Sequence, residues 1–315
     1  MSVEATFGLR LLGSLLVLLP VICGLVLYML LGFTLFSSWN VFRENNFYLI
    51  IVQLMWCDLC ALLVDLYAAF PMILTGVQYM GSSVILYYVP LAFQGVAFNG
   101  IFMFSLLLTT NRFLLFMYPD FHDRLFTTRG TKIICAVVWI YVFLLIALSN
   151  IFGCLKEFSA KYFYFWYNCT YANRYRLHYQ NLVTIHSSVI PCLMIIMYTI
   201  IYVKLKLISR HSNGNTSLSM KQQLKYLVQT ALICVLIVAA IAGFISIPYL
   251  GLVDYGQLYL NMLLNLILIA NNIVTPIVLF SFNNEAALDD ELSSTAHDMA
   301  DELDVSPLTV VNKSH

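Results

Sequence analysis

The chain has 315 residues, of which 61% are hydrophobic and 10% are charged, and its formal net charge is zero. About 25% of the residues of an ordinary globular domain are charged, so the composition excludes soluble enzymes and disordered scaffolds, and the lack of a basic excess excludes nucleic-acid binders. A polytopic membrane protein remains, and eight cysteines are too few for a disulfide scaffold.

Seven stretches with few or no charged residues are long enough to cross a bilayer, which takes roughly 20 apolar residues in a helix. The first stretch follows Arg10 and is too long for the apolar part of a signal peptide. We predict an all-α polytopic membrane protein whose seven-helix bundle spans residues 11–284. The predicted spans are about 11–36, 47–75, 84–110, 133–155, 180–203, 226–250 and 257–282.

The distribution of Lys and Arg indicates the orientation of the bundle. In a seven-span topology, 11 of the 16 basic residues fall on the side of the carboxyl terminus. Because basic residues concentrate in cytoplasmic loops, we predict a short exterior amino-terminal segment (1–10) and a cytoplasmic tail (285–315). The sequon at Asn168 then lies in the longest exterior loop, which predicts glycosylation there, whereas the sequons at Asn215 and Asn312 are cytoplasmic.

Two carboxylates interrupt the second span. Asp58 and Asp65 are seven residues apart, so they share one face of a helix, with Asp58 near mid-membrane. Ionisable groups in a span are costly and usually face the bundle interior. The residues alone indicate a cation or proton site at Asp58 and a ligand or gating role at Asp65.

Polar residues also mark the third and seventh spans. The third ends with Asn111-Arg112-Phe113, and Gln94 lies 18 residues before Arg112 on the same helical face. From its position alone, Arg112 is either a functional residue or a cation that anchors the helix end at the interface, and the two interpretations fit equally well. Amides in the seventh span either join helices by hydrogen bonds or serve a ligand; they are Asn261, Asn265, Asn271 and Asn272.

These features together resemble the rhodopsin-like G-protein-coupled receptor superfamily, particularly the nematode serpentine chemoreceptors of class x, over roughly residues 10–285. Residues 111–113, followed by Tyr118-Pro119, stand where the family has the Arg-centred motif of its third helix. Asp58 matches the second-helix aspartate, Trp139 the fourth-helix tryptophan, and residues 271–276 the seventh-helix motif.

The resemblance implies roles for these residues. Asn111, Arg112 and Phe113 would form the switch that couples to a G-protein. Asp58 and Asn271 would form a mid-membrane sodium or water site.

Several positions depart from the family pattern. The seventh-helix motif has Thr275 for Asn and Leu279 for Tyr, and residues 245–248 of the sixth span lack the usual tryptophan. No cysteine lies near the exterior start of the third span, so the usual disulfide to the following exterior loop cannot form, and Cys154 and Cys169 can instead pair within that loop. The basic eighth helix is also absent.

Half of the 16 acidic residues follow the last span. Such a composition predicts a solvated, disordered tail. Phosphorylation of Ser293, Ser294 and Thr295 in this tail can recruit an arrestin-like protein, but a dispensable tail fits the sequence equally well.

The resulting hypothesis is a chemosensory receptor of the plasma membrane, with the sensory cilium as a candidate location. It binds a small or volatile ligand in the outer half of the bundle and signals through a heterotrimeric G-protein. Depth in the membrane and helical face predict the residues that line the ligand site, which are Asp65, Gln94, Phe98, His186, Phe244, Asn261 and Asn265. Plain packing also explains the aromatic residues and the histidine.

A ligand-gated channel or transporter that uses Asp58 and Asp65 is the alternative, but the sequence has no inverted repeat or broken short helices. We predict no enzyme activity, cofactor or metal. The seventh span has no lysine for a retinal Schiff base, and no His-Glu-x-x-His motif occurs.

Glycosylation mapping tests the orientation. We expect the full chain expressed in animal cells to carry one glycan, because only Asn168 of the three sequons is exterior. On a gel, Asn168→Gln should remove the shift caused by glycosidase treatment, whereas Asn215→Gln and Asn312→Gln should leave it unchanged. A glycan at Asn215 would reverse the predicted topology.

Overall fold

The computed structural model describes the chain in segments. The described residues are 5–37, 39, 46–81, 83–169, 176–211, 231–232, 234–239, 241–243 and 255–302. The chain divides into two compact units, Met1–Thr275 and Pro276–His315.

The described residues form eight helices and a two-stranded sheet. In chain order these are α1 (Phe7–Ser37), α2 (Asn46–Thr75), α3 (Val84–Met117), α4 (Pro119–Leu125), α5 (Thr128–Ile151), β1 (Leu155–Ser159), β2 (Tyr164–Asn168), α6 (Arg176–His211), α7 (residues 234–239 and 241–243) and α8 (Tyr255–Glu302).

Six of the described helices are long and apolar enough to cross a membrane: α1, α2, α3, α5, α6 and α8. The apolar helix α7 belongs to the predicted sixth span, most of which lies outside the described residues. The predicted all-α membrane fold is confirmed. It follows from the length of the apolar windows, since only a helix satisfies every backbone polar group within one segment in lipid.

Helix α3 is the central helix of the first unit, and it contacts α2, α5, α6 and β1. Trp139 of α5 supports this packing, because its indole N–H donates to the Gln53 side-chain oxygen of α2 at 2.9 Å. The same indole ring contacts Phe104 of α3, with the ring centroids 5.2 Å apart. One tryptophan therefore joins three helices.

Near one end of the bundle, two prolines each leave a backbone carbonyl without its usual N–H donor. A tyrosine hydroxyl donates a hydrogen bond to each of these carbonyls. Pro71 lacks the N–H that an α-helix would direct at the Tyr67 carbonyl, and the Tyr79 hydroxyl donates to this carbonyl at 2.5 Å. Pro90 likewise lacks the N–H for the Leu86 carbonyl, to which the Tyr67 hydroxyl donates at 2.9 Å. These bonds fix the ends of α2 and α3 against each other.

A β-hairpin lies between α5 and α6, at what we call the hairpin end of the bundle. Strands β1 and β2 pair antiparallel, with Leu155 opposite Asn168 and Ser159 opposite Tyr164. A disulfide joins Cys154 and Cys169, one residue outside each strand, and closes the base of the hairpin. The sequence patterns considered above did not predict these strands.

Helix α8 continues beyond its apolar part to Glu302. No glycine or proline follows Pro276 within the helix, and residues 285–292 are mostly good helix formers, which favours this continuation. The disorder predicted for residues 285–315 stays a prediction, and residues 303–315 lie outside the described part of the chain.

Two glycines of α1 provide a matched test of the packing. A Cβ added at Gly24 would lie 2.8 Å from Cγ1 of Ile273 and 3.0 Å from Cδ1 of Leu62, whereas a Cβ at Gly32 would meet nothing within 4 Å. We expect Gly24→Ala to destabilise the fold by about 1–3 kcal/mol through overpacking. Gly32→Ala should leave the thermal unfolding midpoint of the purified chain unchanged or raise it. Equal midpoints for the two variants would contradict the packing of α1 against α2 and α8.

Candidate functional site

The tip of the hairpin inserts into the helical bundle. Phe163 is fully buried there, and its ring lies against Gly13 of α1, where an added Cβ would be 3.2 Å from the ring. Its backbone has φ of 59°, a left-handed conformation that costs a non-glycine residue roughly 1–3 kcal/mol. Burial of the phenyl ring offsets this cost and holds the tip in place.

Side chains of α8 and α3 bind the hairpin backbone. The amide nitrogen of Asn261 donates to the Tyr162 carbonyl at 2.8 Å, and that of Asn265 donates to the Phe163 carbonyl. On the other side, the Tyr87 hydroxyl accepts from the Phe158 N–H at 3.1 Å. The hairpin therefore covers the bundle and is tied to it by polar contacts.

A cavity that opens to solvent lies beneath the hairpin, and the empty space within its lining, open solvent included, is about 700 Å³. Its wall comes from α1, α2, α3, β2, α7 and α8, and most of the lining side chains are apolar. The polar and aromatic lining residues are Asp65, Gln94, Phe98, Phe102, Phe165, Asn265, Asn271 and Asn272.

The structure brings four of the predicted ligand-binding residues together in this cavity: Asp65, Gln94, Phe98 and Asn265. Asn261 lies at the hairpin tip and bonds to its backbone. His186 lies apart from the lining, where its ring neighbours Tyr141 and Phe102 at centroid distances of 5.8 Å and 6.5 Å. Phe244 lies outside the described residues.

Asp65 begins a π-helical turn, Asp65–Ala69, in which the N–H of Phe70 donates to the Asp65 carbonyl. Such turns are rare and occur frequently at functional sites. The Asp65 side chain is 8% exposed, lines the cavity, and makes no hydrogen bond to any residue in the described part of the chain. A carboxylate in this environment attracts a cation or a hydrogen-bond donor.

Two further oxygens in the cavity wall lack partners. Among the described residues, the side-chain oxygens of Gln94 and Asn271 are buried without a hydrogen bond. Leaving a buried acceptor unsatisfied costs roughly 1–3 kcal/mol. Buried polar groups nearly always have a partner, so these oxygens mark places where a water or ligand donor fits.

Asp58 lies in a separate polar cluster. The Tyr28 hydroxyl is 2.7 Å from a carboxylate oxygen of Asp58 and 2.8 Å from the Asn272 carbonyl, so its single proton is shared between two acceptors. Thr275 also donates to the Asp58 carboxylate, at 3.1 Å. Asn271, which the resemblance placed beside Asp58, lines the cavity instead of bonding to it. The only sequence signal for Tyr28 is a hydroxyl in an apolar helix, which needs a partner in lipid.

The Asn-Arg-Phe motif lies at the opposite end of α3 from the hairpin. Arg112 is 5% exposed, and its guanidinium carbon lies 4.1 Å from the centroid of the Phe47 ring of α2. The Asn111 amide nitrogen is 3.1 Å from Nε2 of His122 in α4, while the Phe113 ring neighbours Tyr118. The motif is thus packed against α2 and α4.

No sequence pattern distinguishes Lys156 of β1 from the other basic residues of the predicted exterior loop. The side chain is half-buried, and Nζ lies 4.8 Å from the centroid of the Phe98 ring and 5.0 Å from that of Tyr167. Burial lowers the pKa of Lys156 to about 7, and the Asp65 carboxylate opposes this shift by favouring the ammonium form. The lysine is therefore close to the cavity and electrostatically coupled to it.

Comparison with known proteins identifies a family. The model of the family described as serpentine type 7TM GPCR chemoreceptor Srx matches residues 19–283. The matched part begins in α1, ends in α8 and includes every cavity residue except Val17. No curated protein matches the chain.

Limited proteolysis tests how the hairpin is held. Lys161 at the tip is exposed, and we expect the double variant Asn261→Ala, Asn265→Ala to be cut there by trypsin at least several-fold faster, since both carbonyl contacts are lost. Fragments should separate only on a reducing gel, because the disulfide holds them together. Asn99→Ala is the control, because within the described part of the chain the Asn99 side chain bonds only to its own helix. Equal cleavage rates would show that these amides do not anchor the tip.

Proposed function

Because the chain belongs to the Srx family of serpentine type 7TM GPCR chemoreceptors, we propose that it binds a small molecule in the cavity beneath the hairpin and signals to a heterotrimeric G-protein. One observation carries the ligand part of the proposal. A single cavity combines the Asp65 carboxylate with the side-chain oxygens of Gln94 and Asn271, and none of these groups has a hydrogen-bond partner among the described residues. Convergent polar groups in an otherwise apolar pocket are typical of a small-molecule site.

The protein acts as a multi-pass receptor of the plasma membrane, with the hairpin end outside. The excess of basic residues at the opposite end supports this orientation. The glycosylation candidate Asn168 is the last residue of β2, which agrees with an exterior hairpin. Because the hairpin covers the cavity, a ligand that enters from outside has to pass between the hairpin and the helix ends. This route limits the ligand to a small size.

The ligand acts by shifting the helices between two packings, and its effect is limited by its difference in affinity for the two. Helix α3 links the two ends, because Gln94 and Arg112 are separated by 18 residues, or about 27 Å of helix. Helix α8 offers a second link, from Asn272 in the cavity wall through Tyr28 to Asp58. In the activated packing Arg112 leaves the Phe47 ring and contacts the G-protein.

The acidic end of the chain offers a regulatory surface. Residues 285–302 form a helix that carries Ser293, Ser294 and Thr295. Phosphate groups there would add negative charge to an already acidic segment, which favours a partner with a basic surface, such as an arrestin-like protein.

Signalling through Arg112 is tested in cells that express the full chain with a promiscuous G-protein. Odorants and small polar metabolites are screened with a second-messenger readout. For any active compound, Arg112→Ala should preserve surface expression and lower the maximal response by at least tenfold, because the guanidinium is the group that would engage the G-protein. The control is Arg129→Ala, an exposed arginine of α5, which should respond as the wild type does.

Two outcomes would contradict this function. A wild-type chain that reaches the surface and binds a compound, yet never activates a G-protein, would not be a coupled receptor. A ligand-evoked current in reconstituted membranes without any G-protein would favour the channel alternative.

A further inference from the structure

Two opposite charges lie near each other at the hairpin end and do not pair. Asp65 projects from α2 into the cavity, and Lys156 extends from β1 over Phe98, which also lines the cavity. Each charge affects the other electrostatically. Within the described residues neither belongs to an ion pair, so their charged atoms are more than 4.0 Å apart.

The position of Lys156 is built into the fold. Its strand begins directly after the Cys154–Cys169 disulfide, and its methylene stem runs beside Gly95 of α3, where an added Cβ would be 3.7 Å from Cδ. The ammonium group lies near the faces of the rings of Phe98, Tyr167 and, at 6.0 Å, Phe165. Aromatic faces attract a cation but offer it no hydrogen-bond acceptor. The lysine thus lies over the Phe98 ring of the cavity wall and, with Tyr88 and Tyr167, lines a smaller neighbouring pocket. Among the described residues its ammonium group makes no hydrogen bond.

Asp65 and Lys156 form no ion pair within the described residues, and their opposite charges restrict the kind of ligand that fits between them. A cation beside Asp65 would be repelled by Lys156, and an anion beside Lys156 would be repelled by Asp65. A molecule that carries both charges satisfies each group and leaves the site neutral. We propose, on the basis of the receptor function above, that the cavity binds a small amino acid, with its ammonium toward Asp65 and its carboxylate toward Lys156.

The remaining wall fits this ligand class. An ammonium group has three N–H donors, and the cavity supplies the Asp65 carboxylate together with the partnerless oxygens of Gln94 and Asn271. Most other lining residues are aliphatic or aromatic, such as Ile101 and Phe102. The body of the amino acid is therefore apolar, as in leucine or phenylalanine.

The charge of Lys156 makes binding depend on pH. The ionisable groups that face it are Asp65 of α2, Tyr88 of α3 and Tyr167 of β2. Because the pKa of Lys156 is about 7, a rise in pH neutralises the free lysine. Because the carboxylate of the ligand requires the ammonium form of Lys156, the affinity of the chain for the ligand should fall as the pH rises above about 7.

The test is direct binding to the purified full chain in lipid nanodiscs, measured as ligand-induced stabilisation against heat. The probes are leucine, phenylalanine and the longer zwitterion 5-aminopentanoate. For leucine the matched compounds are 3-methylbutan-1-amine and 4-methylpentanoate, and for phenylalanine 2-phenylethylamine and 3-phenylpropanoate. We expect at least one zwitterion to bind at least tenfold more tightly than either compound with a single charge.

Variants separate the two charges. Asp65→Asn should lose the preference for the zwitterion over the carboxylate, and Lys156→Gln should lose both the preference over the amine and the pH dependence. Glu157→Gln and Lys161→Gln, on the same hairpin, should change neither. The wild-type comparison of the matched compounds tests the proposal even if one of the variants does not fold.

Three results would overturn the proposal: no zwitterion binds, the amine or the acid binds as tightly as its zwitterion, or Lys156→Gln leaves the selectivity unchanged. All three leave the receptor function intact if another compound activates the G-protein. Conversely, selective zwitterion binding without any G-protein response supports this ligand class and contradicts the receptor function.

Discussion

Polar groups that lie inside an apolar bundle, away from water, must make their hydrogen bonds within the protein. The first unit of this chain is organised by that constraint. Asp58 obtains donors from Tyr28 of α1 and Thr275 of α8, which ties three helices together at one depth. Nearer the hairpin, the amides of Asn261 and Asn265 donate to backbone carbonyls of the hairpin tip. The position of the roof over the cavity thus depends on two side chains of α8.

The hairpin can move more easily when a ligand binds than a loop that a disulfide joins to the helical bundle. Its disulfide closes its own base and does not join it to α3, so noncovalent contacts with α3 and α8 are what hold the roof. Each such bond contributes only about 1 kcal/mol net. The buried ring of Phe163 adds apolar contact with α1. A few bonds of this size can be exchanged for ligand contacts, which gives the roof a physical means of moving when the cavity fills.

Sequence reasoning succeeded where one residue type carries the information. Windows with few charges located the six apolar helices that the structure describes as long enough to cross a membrane. The helical repeat placed Asp65 and Gln94 on faces that line the cavity. It failed where partners come from distant segments. Tyr28 is 30 residues from Asp58, and nothing in α1 indicates the pairing. Lys156 and Phe165 reach the cavity only because two strands fold back over it, and a loop between spans has no apolar period that reveals strands.

Several buried oxygens of the cavity wall have no hydrogen-bond partner among the described residues. The amide nitrogens of Asn261 and Asn265, which are donors, are spent on the hairpin, while the oxygens of Gln94 and Asn271 and the carboxylate of Asp65 remain as acceptors. At Asp58, by contrast, Thr275 takes the place of the asparagine of the family pattern and still supplies a donor. The substitution therefore preserves the link between α2 and α8, while the buried oxygens of the cavity wall stay available to a ligand. A molecule that brings donors to these oxygens is favoured over one that leaves them unsatisfied.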